Sequence, residues 1–349
     1  MPTTAQIWHS DEPFSLEYGG TLPALQLAYH SWGSLNDSRD NVLLVTHALT
    51  GSSNAKDWWE PVIGPGKPID TDEYFVLCIT NLGSPYGSTS PLTFAKQGKD
   101  PTDFPKVTIR DTVHAHKLLL DYLGIHAVQS VIGGSMGGML SLEWARLYPD
   151  FAQSIVSIGS SAKHSAWCIG ISAMQREAIK SDSLWNSGYY GDDQPSQGLG
   201  LARKIAMASY RSSASLDRRF GREMADEESA YYQVESYLDY QGKKLVERFD
   251  ANCYITLTEI MDTHDIGRGR GNHLKALQSI SQPTLVIGID SDILYPTAEQ
   301  KEIAGHVLNG EYFEIHSDNG HDAFLIDCDR VNEALERFKK QYWSPVTAP

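Results

Sequence analysis

The stretch QSVIGGSMGGMLSLEWARL (residues 129–147) decides the fold, because it places one serine between a predicted strand and a predicted helix. The apolar run at 130–133 predicts a buried strand, and the pattern at 136–147 predicts an amphipathic helix. Between them GGSMG (133–137) fits G-x-S-x-G, the sequence of a nucleophile elbow. Glycines on both sides allow a strained turn that exposes the Ser135 hydroxyl at the helix N-terminus. This context favours a nucleophile over an ordinary Gly-rich turn.

Five further apolar runs predict strands that are buried on both faces, because they lack strict alternation of apolar and polar residues. These runs are residues 41–46, 74–80, 154–159, 284–289 and 310–315. Helical patterns lie between several of them, at residues 109–123, 136–147, 296–307 and 330–342. Strands that alternate with helices predict an α/β fold with a mostly parallel central sheet flanked by helices.

One interval interrupts this alternation. No buried strand is predicted between Ser160 and Gln282, and a structureless insertion of that length is implausible in a compact domain. Helical patterns occupy residues 171–182, 199–213 and 228–249, and a loop rich in Gly, Ser and Gln occupies residues 187–198. We therefore predict a helical lid at residues 165–272, inserted into a core formed by residues 1–164 and 273–349.

Composition limits the possible functions. The chain has 29 basic and 44 acidic residues, a net charge of −15, which argues against nucleic-acid binding. Its four cysteines are far apart and form no CxxC pair, so neither a disulfide framework nor a zinc site is expected. The N-terminal sequence lacks the pattern of a signal peptide, and no apolar run approaches the ~18 residues of a membrane span. We expect a cytoplasmic protein with no metal and no membrane partner.

A serine nucleophile needs a histidine base and a carboxylate, in the chain order Ser, acid, His if the sheet is that of an alpha/beta hydrolase. The acid should follow a late strand, where Asp290 and Asp292 are candidates. Asp292 is favoured because it lies farther beyond the strand and can reach over the sheet edge. After the last strand, His316 is expected to end the strand, whereas His321 lies in the loop proper. We predict Ser135 as nucleophile, His321 as general base and acid, and Asp292 as the group that orients the imidazole.

An oxyanion hole requires two backbone N–H groups beside the nucleophile. One is that of Met136, the residue after Ser135. The other should come from the loop HALTGS (47–52) that follows the first core strand, where the turn is placed to aim the Leu49 N–H inward. The alternative is a loop that only ends the strand.

Seven motifs together resemble the homoserine O-acetyltransferases of the alpha/beta-hydrolase superfamily, and the resemblance spans almost the whole chain. They are HALTGSSNAKDWWEPVIGPG (47–66), NLGSPYGSTSPLT (81–93), FPKVTIRD (104–111), VIGGSMGGM (131–139), GLGLARKIAMASYRS (198–212), SDILYP (291–296) and NGHDAF (319–324). The combination of GGSMGG, HALTG and GHDxF is far more specific than G-x-S-x-G alone.

The resemblance implies a ping-pong transfer of the acetyl group of acetyl-CoA to the hydroxyl of L-homoserine, through an acetylated Ser135, in methionine biosynthesis. It implies that Arg203 binds the homoserine carboxylate and Asp322 its ammonium group; the alternatives are a surface lid arginine and a helix N-cap. Acetyl-CoA would be a co-substrate, with no cofactor bound permanently. Family members are usually dimers through the lid, and the lid tyrosines and Trp185 would form either that interface or the lid core.

Several alternatives stay open. The acceptor could be L-serine and the donor succinyl-CoA, or the same triad could serve an esterase or thioesterase. A non-catalytic binding homologue is a third class, disfavoured by the intact triad. The stretch 203–222 holds six basic residues against Asp217, and part of it is a candidate site for the CoA phosphates, with Arg268 and Arg270 following later.

Overall fold

The architecture is seen in a computed structural model that describes residues 4–343 of the chain; residues 1–3 and 344–349 lie outside the described part. In chain order the strands are β1 (Gln6–Ser10), β2 (Phe14–Ser15), β3 (Thr21–Leu22), β4 (Leu25–Trp32), β5 (Val42–Thr46), β6 (Phe75–Ile79), β7 (Ser130–Gly134), β8 (Ile155–Ile158), β9 (Met224–Asp226), β10 (Tyr231–Tyr232), β11 (Thr284–Ile289) and β12 (Gly310–Ile315). The helices are α1 (Ala55–Trp59), α2 (Pro91–Lys96), α3 (Ile109–Tyr122), α4 (Met136–Leu147), α5 (Ala166–Lys180), α6 (Ser196–Tyr210), α7 (Ser213–Phe220), α8 (Gln233–Val246), α9 (Ala251–Asp262), α10 (His273–Gln278), α11 (Thr297–His306), α12 (Ala323–Ile326) and α13 (Cys328–Tyr342).

A single large sheet organises the molecule, with eight strands in the order β1-β4-β6-β5-β7-β8-β11-β12. The six strands from β6 to β12 in this order pair in parallel. β4 pairs antiparallel with both β6 and β1. The two strands β4 and β1 therefore extend one edge of the parallel sheet by antiparallel pairing. The mostly parallel α/β sheet predicted from the sequence is therefore confirmed.

Both faces of the sheet are covered. Val131 and Ile155 pack on one face, against the apolar sides of α3 and α4. Their neighbours Ile132 and Val156 pack on the opposite face, where α1 and α13 lie. Because successive side chains of a strand point to opposite faces, a strand covered on both sides is apolar at every position. This explains the uninterrupted apolar runs in the sequence.

The six predicted strands are all present, with ends that differ by at most one residue. The predicted burial of residues 310–315 on both faces was wrong, because β12 is an edge strand whose residues are mostly half-exposed. The four predicted helices are also present, as α3, α4, α11 and α13. β1 and β4 were not predicted. β4 carries Gln26, His30 and Ser31 among its apolar residues, so it lacks the continuous apolar run of the central strands.

Residues 165–272 contain the five helices α5 to α9 and the small hairpin of β9 and β10, which lies outside the large sheet. The helix predicted at 228–249 was wrong at its start, because Tyr231 and Tyr232 pair with β9 and α8 begins at Gln233. Every strand of the large sheet comes from outside this interval. The division into a core and a lid stays a prediction.

Between residues 4 and 343, no helix combines the length and the apolar character that a bilayer span requires.

Candidate active site

The predicted nucleophile lies in a strained turn between β7 and α4. Ser135 has φ 57° and ψ −124°, a backbone conformation that few non-glycine residues adopt. Its N–H donates to the Ile158 carbonyl of β8 at 2.8 Å, which ties the turn to the sheet. The turn packs so closely on β5 that a Cβ on Gly137 would lie 2.1 Å from the Thr46 carbonyl oxygen. Glycine at this position therefore allows the tight strand-to-helix turn that holds Ser135 at the carboxyl edge of the sheet.

His321 and Asp292 form a buried pair at the same edge. His321 Nδ1 lies 2.7 Å from Asp292 Oδ2, and both side chains are almost completely buried. Asp292 Oδ1 accepts hydrogen bonds from the N–H groups of Leu294 at 2.8 Å and Tyr295 at 2.9 Å, which prevents rotation of the carboxylate. Because a carboxylate only accepts, His321 Nδ1 carries the proton and Nε2 is the basic nitrogen.

The charge state of His321 reflects two opposing influences. Burial alone lowers the pKa of its imidazole, because the charged form loses hydration. The negative charge of Asp292 and its hydrogen bond outweigh burial, so the pKa of His321 lies above the usual value. The ring is thus suited to take a proton from a serine hydroxyl and to return it.

The two residues that the sequence left as alternatives pair with each other instead. His316 Nδ1 lies 2.9 Å from Asp290 Oδ2, and the His316 side chain is 70% exposed. Both acids follow β11 and both histidines follow β12, so the two pairs differ mainly in burial. Only the His321–Asp292 pair is shielded from water.

Phe324 lies close both to the end of β7, next to Ser135, and to the His321 ring. The Phe324 ring lies 5.7 Å from the His321 ring, and a Cβ on Gly134 would lie 2.5 Å from Phe324. A Cβ on Gly159, just after β8, would lie 3.5 Å from the His321 ring. Within residues 4–343 no hydrogen bond joins the Ser135 hydroxyl to His321. In unliganded enzymes such bonds are often long and shorten only when substrate binds.

The two predicted oxyanion donors lie at the start of α4 and in the loop after β5. Met136 is the first residue of α4, so its N–H has no acceptor inside the helix. Leu49 is buried in the loop after β5, where the Gly51 N–H donates to the Ala48 carbonyl at 2.9 Å. Arg248, which follows α8, donates to the Thr50 carbonyl at 2.9 Å and ties the predicted lid to this loop.

The two residues predicted to bind homoserine lie near His321. Arg203 on α6 has a buried Nη1 with no hydrogen-bond partner among the described residues, and its guanidinium lies 5.6 Å from the Tyr210 ring. The Tyr210 ring is in turn 5.6 Å from that of His321. Burial raises the pKa of the Asp322 carboxyl, although Arg211, His321 and Arg203 lower it. Within residues 4–343, an Arg203 Nη1 without a hydrogen-bond partner and the Asp322 carboxyl thus lie near His321, and the α-carboxyl and α-amino groups of an amino acid would complement them.

Asp322 does not cap a helix. It precedes α12 but makes no capping hydrogen bond, and its Oδ2 lies 3.5 Å from Arg211 Nε. Asp322 thus occupies the N-cap position of α12, but the interpretation that its side chain caps this helix is wrong.

Three residues of this site were not predicted to belong to it. Tyr210 and Tyr295 pack on His321, with ring centroids 5.6 and 5.3 Å away, and Arg211 faces Asp322. Tyr210 and Tyr295 also line a narrow cavity together with Leu49, Cys168 and Gln175. Tyr210 could have been predicted from the sequence, because it lies seven residues after Arg203 and hence on the same face of α6.

Three of the six basic residues in the stretch proposed for the CoA phosphates face acids. Arg211 faces Asp322, Lys204 pairs with Asp239, and Arg218 pairs with Asp318. Arg268 and Arg270 lie elsewhere, in ion pairs with Glu17 and Glu143. Of the stretch, Arg219 and Arg222 lie over aromatic rings.

No group of three or more His, Cys, Asp or Glu side chains in residues 4–343 is arranged to hold a metal ion. All four cysteines are buried free thiols.

The chain is similar to known proteins over almost its whole length. Residues 41–327 match the family described as the alpha/beta hydrolase fold. The homoserine O-acetyltransferase of Nostoc punctiforme is 50% identical over 340 residues, which cover 95% of this chain and 95% of that protein. The crystal structure of homoserine O-acetyltransferase from Bacillus anthracis has a TM-score of 0.90 at 26% identity and covers 98% of this chain and 99% of that one. The acetyl esterase MekB has a TM-score of 0.87 at 26% identity, with 97% of each chain covered.

Proposed function

The chain belongs to the homoserine O-acetyltransferase family within the alpha/beta-hydrolase fold, and we propose that it transfers an acetyl group from acetyl-CoA to the hydroxyl of L-homoserine. The observation that carries this proposal is the buried His321–Asp292 pair with Arg203 and Asp322 beside it. A zwitterionic acceptor offers a carboxylate to the guanidinium and an ammonium to the carboxyl group.

In the proposed first half-reaction, the Ser135 hydroxyl attacks the thioester carbonyl of acetyl-CoA while His321 Nε2 accepts its proton. The N–H groups of Leu49 and Met136 stabilise the oxyanion that forms. Collapse of the tetrahedral intermediate breaks the carbon–sulfur bond, and the leaving CoA sulfur takes the proton from His321. Ser135 remains acetylated.

In the second half-reaction, the homoserine hydroxyl gives its proton to His321 and attacks the acetyl carbonyl. Ser135 then leaves as the alcohol after regaining that proton, and O-acetylhomoserine is released. Arg203 and Asp322 would orient the acceptor so that its hydroxyl, rather than a water molecule, is in position to attack the acetyl carbonyl. Burial of His321 under Tyr210 and Tyr295 supports this exclusion of water.

The remaining assignments are also proposals. A role in methionine biosynthesis and a homodimer formed through the lid come from the family resemblance. A cytoplasmic location agrees with four cysteines that stay unpaired, as is usual in a reducing compartment. Size-exclusion chromatography with light scattering would test the dimer.

A panel of donors and acceptors tests the central proposal. Acetyl-CoA and succinyl-CoA are each combined with L-homoserine, L-serine or no acceptor, and CoA release is followed. We expect release to be fastest with acetyl-CoA and homoserine, and intact mass should show an acetyl adduct that Ser135→Ala abolishes. CoA release that does not depend on an amino-acid alcohol would contradict the transferase proposal, and an adduct that persists in Ser135→Ala would contradict the nucleophile.

An esterase is the second candidate, because the acetyl esterase MekB shares the fold over 97% of this chain. The discriminating measurement is the fate of acetyl-Ser135 in the absence of homoserine. Rapid loss of the adduct to water, unchanged by added homoserine, would favour the esterase.

A further inference from the structure

The ring of His47, which the proposed mechanism does not use, lies inside the loop that carries Leu49. His47 directly follows β5 and is completely buried. Its Nδ1 lies 2.8 Å from the Ala48 carbonyl oxygen, and the backbone N–H of Asn81 donates to its Nε2 at 3.0 Å. Both ring nitrogens are therefore bonded to backbone groups of the two loops that follow β5 and β6.

These partners leave only one protonation state for the ring. A backbone N–H can only donate, so Nε2 must be the unprotonated nitrogen, and a carbonyl can only accept, so Nδ1 must carry the proton. Burial lowers the pKa of His47 to about 4, and the bond to Ala48 offsets only part of this effect. The ring therefore stays neutral, in the Nδ1–H form, at ordinary pH.

The hydrogen bond to Ala48 controls the direction of the next N–H. The Ala48 carbonyl accepts from two donors, the His47 ring and the Gly51 N–H at 2.9 Å. The peptide bond between Ala48 and Leu49 is planar and trans, so the Leu49 N–H points opposite to that carbonyl. Rotation of this peptide would break both bonds and leave polar groups unpaired in a partly buried loop.

We propose that His47 is a positioning residue that holds the Leu49 N–H toward the acyl oxygen of the acetylated serine. This inference rests on the proposed function, since it takes Leu49 as an oxyanion donor. The Asn81 side chain supports the arrangement, because its Nδ2 donates to the His47 carbonyl at 3.3 Å and lies 3.9 Å from Met136 Sδ. Asn81 thus contacts both His47, at the start of the loop that carries Leu49, and Met136, the first residue of α4.

Two substitutions separate the two hydrogen bonds of the ring. In His47→Asn, the side-chain amide can take the place of Nδ1 and still donate to Ala48. In His47→Gln, the longer side chain can take the place of Nε2 and accept from Asn81, but the donor to Ala48 is lost. Both variants remove the ring from the same buried position, so their thermal stabilities should fall by similar amounts and serve as mutual controls.

The readout is the pre-steady-state rate of acetylation of Ser135 by acetyl-CoA. We expect His47→Gln to slow acetylation by about 10- to 100-fold, a large part of the effect of losing one oxyanion donor, without a change in KM. His47→Asn should remain within about threefold of the parent rate, because the direction of the Leu49 N–H is kept. Equal acetylation rates in the two variants would overturn the inference.

A measurement on the unsubstituted protein covers the case in which neither variant folds. NMR of the protein labelled with ¹⁵N in its histidine rings should show one ring that keeps the Nδ1–H form between pH 5 and 9. A His47 ring protonated on Nε2, or one that titrates in this range, would overturn the inference. Failure of the unsubstituted protein to acetylate Ser135 would instead contradict the proposed function, so the two failures are distinguishable.

Discussion

At the scale of the residue, burial distinguishes two otherwise similar His–Asp pairs. His321 and Asp292 are shielded, whereas His316 and Asp290 are largely exposed. A carboxylate polarises an imidazole far more strongly when water does not screen the pair. Substitution of each acid in turn therefore tests which of the two His–Asp pairs acts with Ser135.

We expect Asp292→Asn to lower the acetylation rate of Ser135 by about 10³-fold or more, because an amide no longer selects the His321 tautomer or stabilises its charged form. Asp290→Asn should leave the rate within about twofold, since an exposed pair contributes little. Stopped-flow measurement of CoA release compares the two variants. Equal losses in both would show that the buried pair has no special role.

Arg203 and its chain neighbour Lys204 offer a second matched comparison. The Lys204 ammonium pairs with Asp239, whereas Arg203 Nη1 is buried without a described partner. Arg203→Ala should raise the KM for homoserine by about 10- to 100-fold, because a hydrogen bond to a charged group is lost, and should leave acetylation of Ser135 unchanged. Lys204→Ala should change neither. An equal loss of acetylation in Arg203→Ala would assign the arginine to the donor.

At the scale of the element, the approach of α4 to β5 determines where Ser135 stands. The Thr46 hydroxyl donates to the Gly137 carbonyl at 2.8 Å, and the Thr46 carbonyl occupies the space that a Cβ on Gly137 would need. The first turn of α4 therefore fits against the strand end only with glycine. The elbow depends on this contact between elements as well as on its own backbone angles.

Gly137→Ala should lower the free energy of unfolding by about 1–3 kcal/mol and reduce acetylation, because α4 must move away from β5. Gly170→Ala is the control, since a Cβ there has no neighbour within 4 Å and the residue lies inside α5. That control should be neutral or gain up to about 1 kcal/mol from helix propensity. Thermal and urea unfolding measure both, and an unperturbed Gly137→Ala protein would refute the packing argument.

At the scale of the whole molecule, buried neutral histidines make stability depend on pH. Burial lowers the pKa of His47 to about 4 and the pKa values of His116 and His164 to about 3. On unfolding, each returns to about 6.5 and takes up a proton below that pH. Their stabilising contribution is therefore complete above pH 6.5 and is lost as the pH falls toward 3–4.

We expect the free energy of unfolding to fall as the pH drops from 6.5 to 4, by about 1.4 kcal/mol per pH unit for each proton taken up. His116→Leu should reduce this slope by the contribution of one proton. Urea unfolding between pH 4 and 8 provides the slopes. Parallel curves for the protein and His116→Leu would mean that His116 is not buried in its neutral form.

Features that depend on residues close together along the chain could be predicted from the sequence alone. Five of the six predicted strands were recognisable because a strand covered on both faces is apolar at every position, whereas β12 is a half-exposed edge strand. Ser135 was recognisable because strand, glycine turn and helix are consecutive. The order of late strands also placed Asp292 and His321 together, since the carboxyl ends of adjacent parallel strands meet at one edge.

Contacts between side chains from distant parts of the chain could not be predicted from the sequence and are known only from the tertiary structure. Tyr210 lies over His321, Arg211 faces Asp322, and the His47 ring joins two loops whose residues are 34 apart in sequence. The antiparallel strands β1 and β4 also escaped prediction, because polar residues interrupt the apolar run of β4. The periodicity of a segment indicates which of its faces is buried. Which side chains that face contacts depends on how the strand ends and the helices of residues 165–272 pack together.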